Sequence, residues 1–323
     1  MSGGAPSAGA PGTGARGPDR RGAGARGPDT RDGELDALTP GGPARRAGAP
    51  RVGLAGWRLP VEHARAVELT RRSGADGLQL DLGGPGRGAR LDDPATLDEV
   101  RSAAAAHGVE LLAVSGNTLN DIGLTAPEGT DDARRARRTL IRVLDAAHAL
   151  GAPLAFVPSF RRSAIDGPRA LRRTVSVLSW AAGEAADRGL SLANENDLAP
   201  DRARALAEEI GSPAFRLLLD TYNPRVAGVD VLALVEATAG LLAPQVHLKD
   251  GVDGVAGQVP LGDGDGRVAE ALAALRKRDF APYALVLEND YRDGGTERLA
   301  RDIDRARSHA RDFRTSMEKE IHA

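Results

Sequence analysis

The sequence predicts an α/β protein folded as a (β/α)₈ barrel, and three observations support this prediction. Short apolar runs bounded by Gly or Pro recur from residue 51 onward, and stretches with helical apolar spacing separate them. Eight such strand–helix units fit into the last 270 or so residues, close to the usual size of a barrel of about 250 residues. The first turn, "GLAGWRLP", lacks the glycine fingerprint that an open dinucleotide-binding sheet would carry there.

Apolar runs and stop signals place the individual elements. The predicted strands are residues 51–56, 77–81, 109–115, 152–159, 189–195, 215–220, 244–250 and 282–288. Residues 140–147 carry apolar side chains at i, i+3, i+4 and i+7, which is the spacing of one helix face. A second helix is predicted from Asp93-Pro94 to a stop at Gly108, and a third lies within residues 200–213.

The first 50 residues differ in composition from the rest of the chain. Twenty of them are Gly or Pro, and "GARGPD" occurs at both 14–19 and 24–29. Such a segment buries too little apolar surface to offset the entropy lost on ordering. We therefore expect a disordered tail over residues 1–50 and a catalytic barrel domain over residues 51–323.

Composition narrows the classes of function. Lys and Arg number 43 against 45 Asp and Glu, which argues against general nucleic-acid binding. The chain has no cysteine, so disulfides, thiolate metal sites and a cysteine nucleophile are excluded, and six histidines remain as nitrogen ligands. The sequence shows neither an apolar run long enough for a membrane span nor a signal-peptide core, so we expect a cytoplasmic protein.

Chemically active side chains lie at the ends of the last four predicted strands. Strand five ends at Glu195, strand six ends at Asp220, and strand seven carries His247. Glu288 ends strand eight. The carboxyl ends of barrel strands meet at one rim, where the active sites of such barrels lie, so we expect these four side chains to converge. Taken singly, each carboxylate could instead cap the helix that follows it.

Three carboxylates on one rim repel one another. Two like charges about 4 Å apart at an effective dielectric constant of about 20 cost roughly 4 kcal/mol. Three such pairs would strain a domain whose whole stability is about 5–15 kcal/mol. Wider spacing, protonation or a bound cation would each relieve the repulsion. One imidazole and three carboxylates suit a divalent ion such as Mn²⁺, Zn²⁺, Co²⁺ or Mg²⁺.

Six motifs occur in a specific order along the chain. They are "GADGLQLD" (74–81), "LANEN" (192–196), "LLLDTYN" (217–223), "QVHLKDG" (245–251), "VPLGDGDGRV" (259–268) and "YALVLEND" (283–290). With these motifs the chain from about Arg51 to Arg314 resembles the sugar phosphate isomerase/epimerase family, the xylose isomerase-like TIM barrels. The order and placement of the motifs together carry the resemblance, since "LGDGDG" alone could be a surface turn.

The resemblance implies a metal site and an acid–base pair. The family's metal ligands match Glu195, Asp220, His247 and Glu288, with Mn²⁺ favoured and Co²⁺, Zn²⁺ or Mg²⁺ as alternatives. In the epimerases and isomerases of the family the two glutamates also transfer protons on opposite faces of the substrate. These catalytic roles therefore fall to Glu195 and Glu288 in this chain.

Four further residues are predicted to bind substrate. The family often has a histidine three residues after the strand-six aspartate, and this chain has Asn223 there. Lys249 could hold a substrate oxygen or phosphate, or could pair with Asp250. Asn117 and Trp57 lie at the ends of strands three and one and are expected to shape the pocket, although plain packing is an equal alternative for Trp57.

The end of strand two and the other histidines complete the inventory of candidates. The family commonly has an acidic residue at the end of strand two, and Gln79 and Asp81 both qualify here. The remaining histidines are expected to be structural or surface residues: His63, His107, His148, His309 and His322.

The implied function is a divalent-metal-dependent isomerase or epimerase. It would act on a sugar or keto-polyol by proton transfer next to a carbonyl, through an enediolate. A dehydratase of a keto-cyclitol or keto-sugar uses the same chemistry and stays open. A retaining glycosidase using Glu195 and Glu288 is a more distant alternative, with few aromatic residues available to stack on sugars. A metal-dependent endonuclease and a non-catalytic partner subunit fit less well.

The expected partner is a small-molecule sugar or cyclitol, phosphorylated or not. Neither a nucleic acid nor a membrane is expected as a partner, and a homo-oligomer is left open.

Overall fold

The computed structural model describes residues 48–321, and eight parallel strands close into a barrel within it. The barrel strands are β1 (Arg51–Ala55), β2 (Gly77–Asp81), β3 (Glu110–Ser115), β4 (Leu154–Pro158), β5 (Ser191–Glu195), β6 (Phe215–Asp220), β7 (Leu242–Leu248) and β10 (Ala284–Leu287). A short hairpin of β8 (Gly251–Val252) and β9 (Val255–Ala256) follows β7. The predicted tail lies outside the described residues except for 48–50.

Helices connect the strands on the outside of the barrel. They are α1 (His63–Arg72), α2 (Pro94–His107), α3 (Leu119–Ile122), α4 (Asp131–Leu150), α5 (Pro168–Ala186), α6 (Pro200–Ile210), α7 (Asn223–Val226), α8 (Val231–Thr238), α9 (Val268–Lys277) and α10 (Thr296–Ile321). Within residues 48–321 no helix has the length and apolar content that a membrane span requires.

Strand β1 closes the ring by pairing in parallel with both β2 and β10. Each of the other barrel strands pairs with its neighbours in chain order, and β7 pairs with β10. The predicted (β/α)₈ barrel is therefore confirmed. In this ring of eight, β3 lies opposite β7.

Strand β7 differs from its predicted bounds. It begins at Leu242, two residues earlier than predicted, and contains Pro244. The register against β6 shifts between Leu217 and Leu219, so extra residues of β7 bulge at this point. A bulge tolerates a proline because no ladder hydrogen bond needs its missing N–H.

The predicted helix signals are present as capping interactions. The Asp93 carboxylate accepts a hydrogen bond from the backbone N–H of Thr96 at the start of α2, and Gly108 ends this helix with a φ of 62°. Helix α4 begins after Thr130, whose hydroxyl accepts from the N–H of Ala133. Each cap satisfies backbone groups that the helix itself leaves unpaired.

Two apolar regions support the barrel. The larger one lies between strands and helices, and the smaller clusters fill the interior. Leu112 and Phe156 are fully buried in the interior clusters. Gly53 and Gly77 face Leu112 so closely that a Cβ at either position would overlap its side chain. Small and large residues thus interlock below the carboxyl ends of the strands, where the polar side chains gather.

Candidate active site

Four side chains converge at the carboxyl end of the barrel as predicted. Glu195 and Asp220 are the last residues of β5 and β6, His247 lies near the end of β7, and Glu288 directly follows β10. One potential ligand atom from each lies within 4.8 Å of the other three, and all four residues are buried. The strands β5, β6, β7 and β10 are neighbours in the barrel, and their carboxyl ends bring the four side chains together.

A chain of buried amides fixes the orientation of the His247 ring. The Nε2 atom of His247 lies 2.9 Å from Oε1 of Gln79, whose Nε2 donates to Oε1 of Gln245 at 2.8 Å. Gln245 in turn donates to the carbonyl oxygen of Leu112 at 2.8 Å. Because the Gln79 oxygen must accept, Nε2 of His247 carries the proton and donates. Nδ1 is thereby turned toward the carboxylates, 3.2 Å from Oε2 of Glu288.

Gln79→Leu should weaken binding of a divalent metal by about 10–100-fold, since an outer partner that orients a histidine ligand typically contributes that much. The leucine cannot accept the proton on Nε2 of His247, so the ring loses its preferred orientation. Titration calorimetry with Mn²⁺ would measure the effect. Gln245→Leu, one hydrogen bond further away, should have a smaller effect, and equal affinity in both variants and the wild type would contradict this role.

The carboxylates are held by other parts of the site. Asn223 donates from Nδ2 to Oε1 of Glu195 at 2.7 Å. Oδ1 of Asp220 accepts from the backbone N–H groups of Tyr222 and Asn223. Oε1 of Glu288 accepts from the indole N–H of Trp57 at 3.0 Å. These bonds position each carboxylate without using its second oxygen.

Three of the potential ligand atoms are buried and make no hydrogen bond. They are Oδ2 of Asp220, Nδ1 of His247 and Oε2 of Glu288. The ammonium of Lys249 lies 3.0 Å from the Asp220 atom and 2.8 Å from the Glu288 atom, at angles that make ion pairs but not hydrogen bonds. Buried polar atoms in native proteins normally have partners, so these three atoms fit a metal ion.

The charge of the cluster also fits a divalent ion. Three carboxylates and the one ammonium of Lys249 leave two negative charges when the imidazole is neutral. Burying this excess would oppose folding, because an unpaired buried charge is strongly destabilising. A divalent cation on these oxygen and nitrogen ligands would balance the cluster, in agreement with the predicted metal site.

The pKa values of the cluster follow from burial and these contacts. Burial raises the pKa of Asp220, and the ammonium of Lys249 opposes that rise. Burial alone would also raise the pKa of Glu288, but Lys249 and His247 hold it well below its usual range. Burial opposes protonation of His247, yet the nearby carboxylates of Glu195 and Glu288 raise its pKa to about 10. A divalent ion bound at Nδ1 would displace that proton.

A cavity of about 770 Å³ lies above the cluster at the carboxyl ends of the strands. This size suits a small-molecule ligand. All four residues predicted to bind substrate line it: Trp57, Asn117, Asn223 and Lys249. Four arginines that the sequence reasoning did not single out also line it: Arg58, Arg87, Arg161 and Arg292.

Trp57 lines the cavity and also packs against neighbouring rings. Its ring packs 5.7 Å from the ring of Phe156 and 6.1 Å from the imidazole of His247, measured between centroids. Its N–H holds Glu288, to which the guanidinium of Arg58 also donates at 3.3 Å. The Trp57 side chain therefore contributes to packing and also positions the Glu288 carboxylate.

Asp250 organises the loop after β7 and does not pair with Lys249. Its carboxylate accepts from the backbone N–H groups of Gly262, Gly264 and Gly266, and from that of Gly251. A Cβ at Gly264 would overlap this carboxylate. The backbone N–H groups of the "LGDGDG" motif therefore surround the buried carboxylate of Asp250, in a way similar to an anion-binding nest.

Asp81 ends β2 beside the cavity, where its Oδ1 accepts from the backbone N–H of Asn117 at 3.0 Å. Burial raises its pKa to about 6, although the Asn117 bond and the charge of Arg87 oppose the rise. The folded protein therefore keeps this proton up to about pH 6, whereas the unfolded chain releases it near about pH 4. The free energy of unfolding therefore falls as the pH rises between these two values.

Asp81→Asn should remove this loss, because an amide can accept the same hydrogen bond without ionising. The free energy of unfolding at about pH 7 should rise by about 1–3 kcal/mol, with little change at about pH 4. Urea denaturation at both pH values would measure it, with the substitution Asp201→Asn at an exposed residue of α6 as the control. The same gain at both pH values would show that ionisation of Asp81 is not the cause.

The described histidines other than His247 take no part in the ligand cluster. They are His63, His107, His148 and His309, and each lies in a helix. His322 lies outside the described residues.

The sequence model of one protein family, the xylose isomerase-like TIM barrels, matches residues 67–311, which is more than half of the chain. The chain belongs to this family. One relative in the family, 2-epi-5-epi-valiolone 7-phosphate 2-epimerase from Actinoplanes sp. strain SE50/110, is 48% identical over 266 residues. The alignment covers 82% of this chain and 97% of the relative.

Solved structures share the fold at low sequence identity. L-ribulose 3-epimerase superposes with a TM-score of 0.68 at 18% identity, over 83% of this chain and 97% of that one. A xylose isomerase domain protein from Planctomyces limnophilus gives 0.67 at 16% identity, over 83% and 99%. The E. coli 3-keto-D-glucoside 4-epimerase gives 0.61 at 16% identity, over 78% and 98%.

The family and the ligand cluster confirm the predicted enzyme class, an epimerase of the xylose isomerase-like barrels with a candidate metal site. The glycosidase alternative gains no support. Asp220 and His247 lie among the two glutamates, where a glycosidase would need neither of them.

Proposed function

We propose that the protein is a metal-dependent epimerase of a phosphorylated keto-cyclitol, namely 2-epi-5-epi-valiolone 7-phosphate or a close analogue. The observation that carries the proposal is the buried cluster of Glu195, Asp220, His247 and Glu288 in a chain 48% identical to an epimerase of that substrate. The reaction inverts the carbon next to the ketone by removing its proton and returning one on the other face.

The cofactor we propose is Mn²⁺, held by those four side chains, with Co²⁺, Zn²⁺ and Mg²⁺ as alternatives. Three carboxylate oxygens and one imidazole nitrogen form an oxygen-rich set that suits Mn²⁺ better than a softer metal. Such an ion acts as a Lewis acid that polarises a carbonyl and stabilises the enediolate.

Glu195 and Glu288 are proposed to transfer the protons. They leave β5 and β10, which β6 and β7 separate, so the two carboxylates approach the cavity from different sides. Glu288 has a strongly lowered pKa and is ionised near neutral pH, as a base must be. Asn223 holds Glu195, and Trp57 holds Glu288, so both bases keep fixed positions.

Lys249 is proposed to bind an oxygen of the substrate next to the reacting carbon. Its ammonium is fully buried, and besides its two carboxylate contacts it donates to Oδ1 of Asn223 at 3.1 Å. With a divalent ion bound, the carboxylates and the Lys249 ammonium are balanced. The guanidinium of Arg58 on Glu288 then adds one positive charge, which favours the anionic enediolate.

Exchange of the substrate proton with solvent tests the proposal. The purified protein with Mn²⁺ should incorporate deuterium from D₂O at the carbon next to the ketone of 2-epi-5-epi-valiolone 7-phosphate, and NMR should detect both epimers. EDTA should abolish exchange, and Mn²⁺ should restore it. Failure to exchange with any of the four metals would refute the proposal, and a product lacking a hydroxyl group would identify the dehydratase alternative.

A further inference from the structure

Two arginines at the rim of the cavity share a single carboxylate. Arg87 lies in the loop after β2, and Arg161 lies in the loop after β4. Nε of Arg87 is 2.7 Å from one oxygen of Asp121, and a terminal nitrogen of Arg161 is 3.0 Å from the other. Two guanidinium groups against one carboxylate leave one net positive charge at this part of the rim.

The other cations that line the cavity within residues 48–321 contact carboxylates of the ligand cluster or of the loop after β10. The guanidinium of Arg292 makes two hydrogen bonds to Asp290, two residues earlier in the chain. Arg58 contacts Glu288, and Lys249 lies between carboxylates of the ligand cluster. Away from the ligand cluster, the excess positive charge of the rim therefore lies at the arginine pair.

The backbone around the pair leaves room for a ligand. Gly86 lines the cavity beside Arg87 with a φ of 73°, and a Cβ there would meet no other atom within 4 Å, so bare backbone borders the space at this point. Arg161 has a φ of 51°, a conformation uncommon for residues that carry a Cβ. Such backbone conformations persist where the surrounding structure fixes them, often at ligand sites.

We propose that Arg87 and Arg161 bind the phosphate group of the substrate. This inference rests on the proposed function, because it assigns the phosphate of that same keto-cyclitol. A guanidinium has five N–H donors in a planar fork, so contact with Asp121 leaves donors for phosphate oxygens. Asp121 then holds the two arginines close to each other before the substrate enters.

The position of the pair in the barrel fits a substrate that spans the cavity. The strands β2 and β4 flank β3, and β3 lies opposite β7, which carries His247. A phosphate at the arginine pair would place the ring of the cyclitol over the middle of the barrel. The carbon next to the ketone would then lie on the side of Glu195 and Glu288.

Substrate preference tests the proposal in the full-length protein. The readout is the ratio of kcat/KM for the phosphorylated keto-cyclitol to kcat/KM for its unphosphorylated form. Two charge-assisted bonds should be worth a factor of about 100 or more, so the ratio should fall by that factor in the double variant Arg87→Ala/Arg161→Ala. The matched control Arg90→Ala/Arg172→Ala alters two exposed arginines that do not line the cavity, and should keep the ratio.

A binding measurement separates this proposal from the proposed reaction. Inorganic phosphate should raise the Tm of the wild type and of the control but not that of Arg87→Ala/Arg161→Ala. An unchanged ratio together with a retained rise in Tm would overturn the phosphate site and point to Arg58 or Arg292. If the wild type exchanges the proton of neither substrate, the epimerase proposal fails, and the Tm measurement still decides whether the arginine pair binds phosphate.

Discussion

Replacing either Glu195 or Glu288 with glutamine should lower kcat for epimerisation by about 10²–10⁴-fold, the range that a general base contributes. An amide keeps the size of the side chain and an oxygen that can bind metal, but it cannot take a proton. Inversion needs a proton removed on one face and returned on the other, so the proposed mechanism requires both glutamates.

The two variants should differ in which epimer still exchanges its proton with solvent. Each retains one base and should exchange the proton of one epimer with solvent deuterium without inverting it, and the two variants should prefer opposite epimers. NMR of each epimer in D₂O measures this directly. Glu62→Gln, the same substitution at another carboxylate of the cavity, is the control. Equal exchange of both epimers by one variant would contradict the two-base assignment.

Removal of the His247 imidazole should release the metal. His247→Ala loses a ligand outright, so the affinity for Mn²⁺ should fall by more than the roughly 10–100-fold expected for loss of an outer partner. The remaining carboxylates would then repel one another in a buried site. Elemental analysis of protein purified without chelator should find about one metal ion per wild-type chain and much less in the variant.

The control for this experiment is His107→Ala, at the exposed end of α2. It should bind metal like the wild type, since that ring lies outside the ligand cluster. A His247→Ala protein that retained a full complement of metal would show that the imidazole is not a ligand, and it would remove the basis for Gln79 as a positioning residue.

Strand positions could be predicted because apolar runs and their Gly or Pro boundaries are local signals. Strands β2 and β6 have their predicted bounds, residues 77–81 and 215–220. The start of β7 could not be predicted, because Pro244 normally marks a strand boundary. Its tolerance depends on a bulge against β6, which is a contact between distant parts of the chain.

The ligand cluster could be predicted for a similar reason. Barrel topology places strand ends at one rim, so position along the chain becomes proximity in space. The bond between Gln79 and His247 was not predicted, because it joins residues 168 positions apart across the barrel interior. A buried glutamine between two leucines in "GLQLD" was the available signal. Arg87 and Arg161 gave none, since surface arginines in loops have no periodicity and this chain is rich in them.

The chain contains two tryptophans, and their surroundings differ. Trp57 is bonded to Glu288 and packs near His247, whereas Trp180 on α5 lies under the guanidinium of Arg137 at 4.6 Å. Emission from Trp57 should change when a cation binds at those ligands, while Trp180 provides a constant background. In a Trp180→Phe protein, Trp57 would then be the one source of tryptophan emission. Stopped-flow fluorescence could follow cation binding in this variant without an added dye.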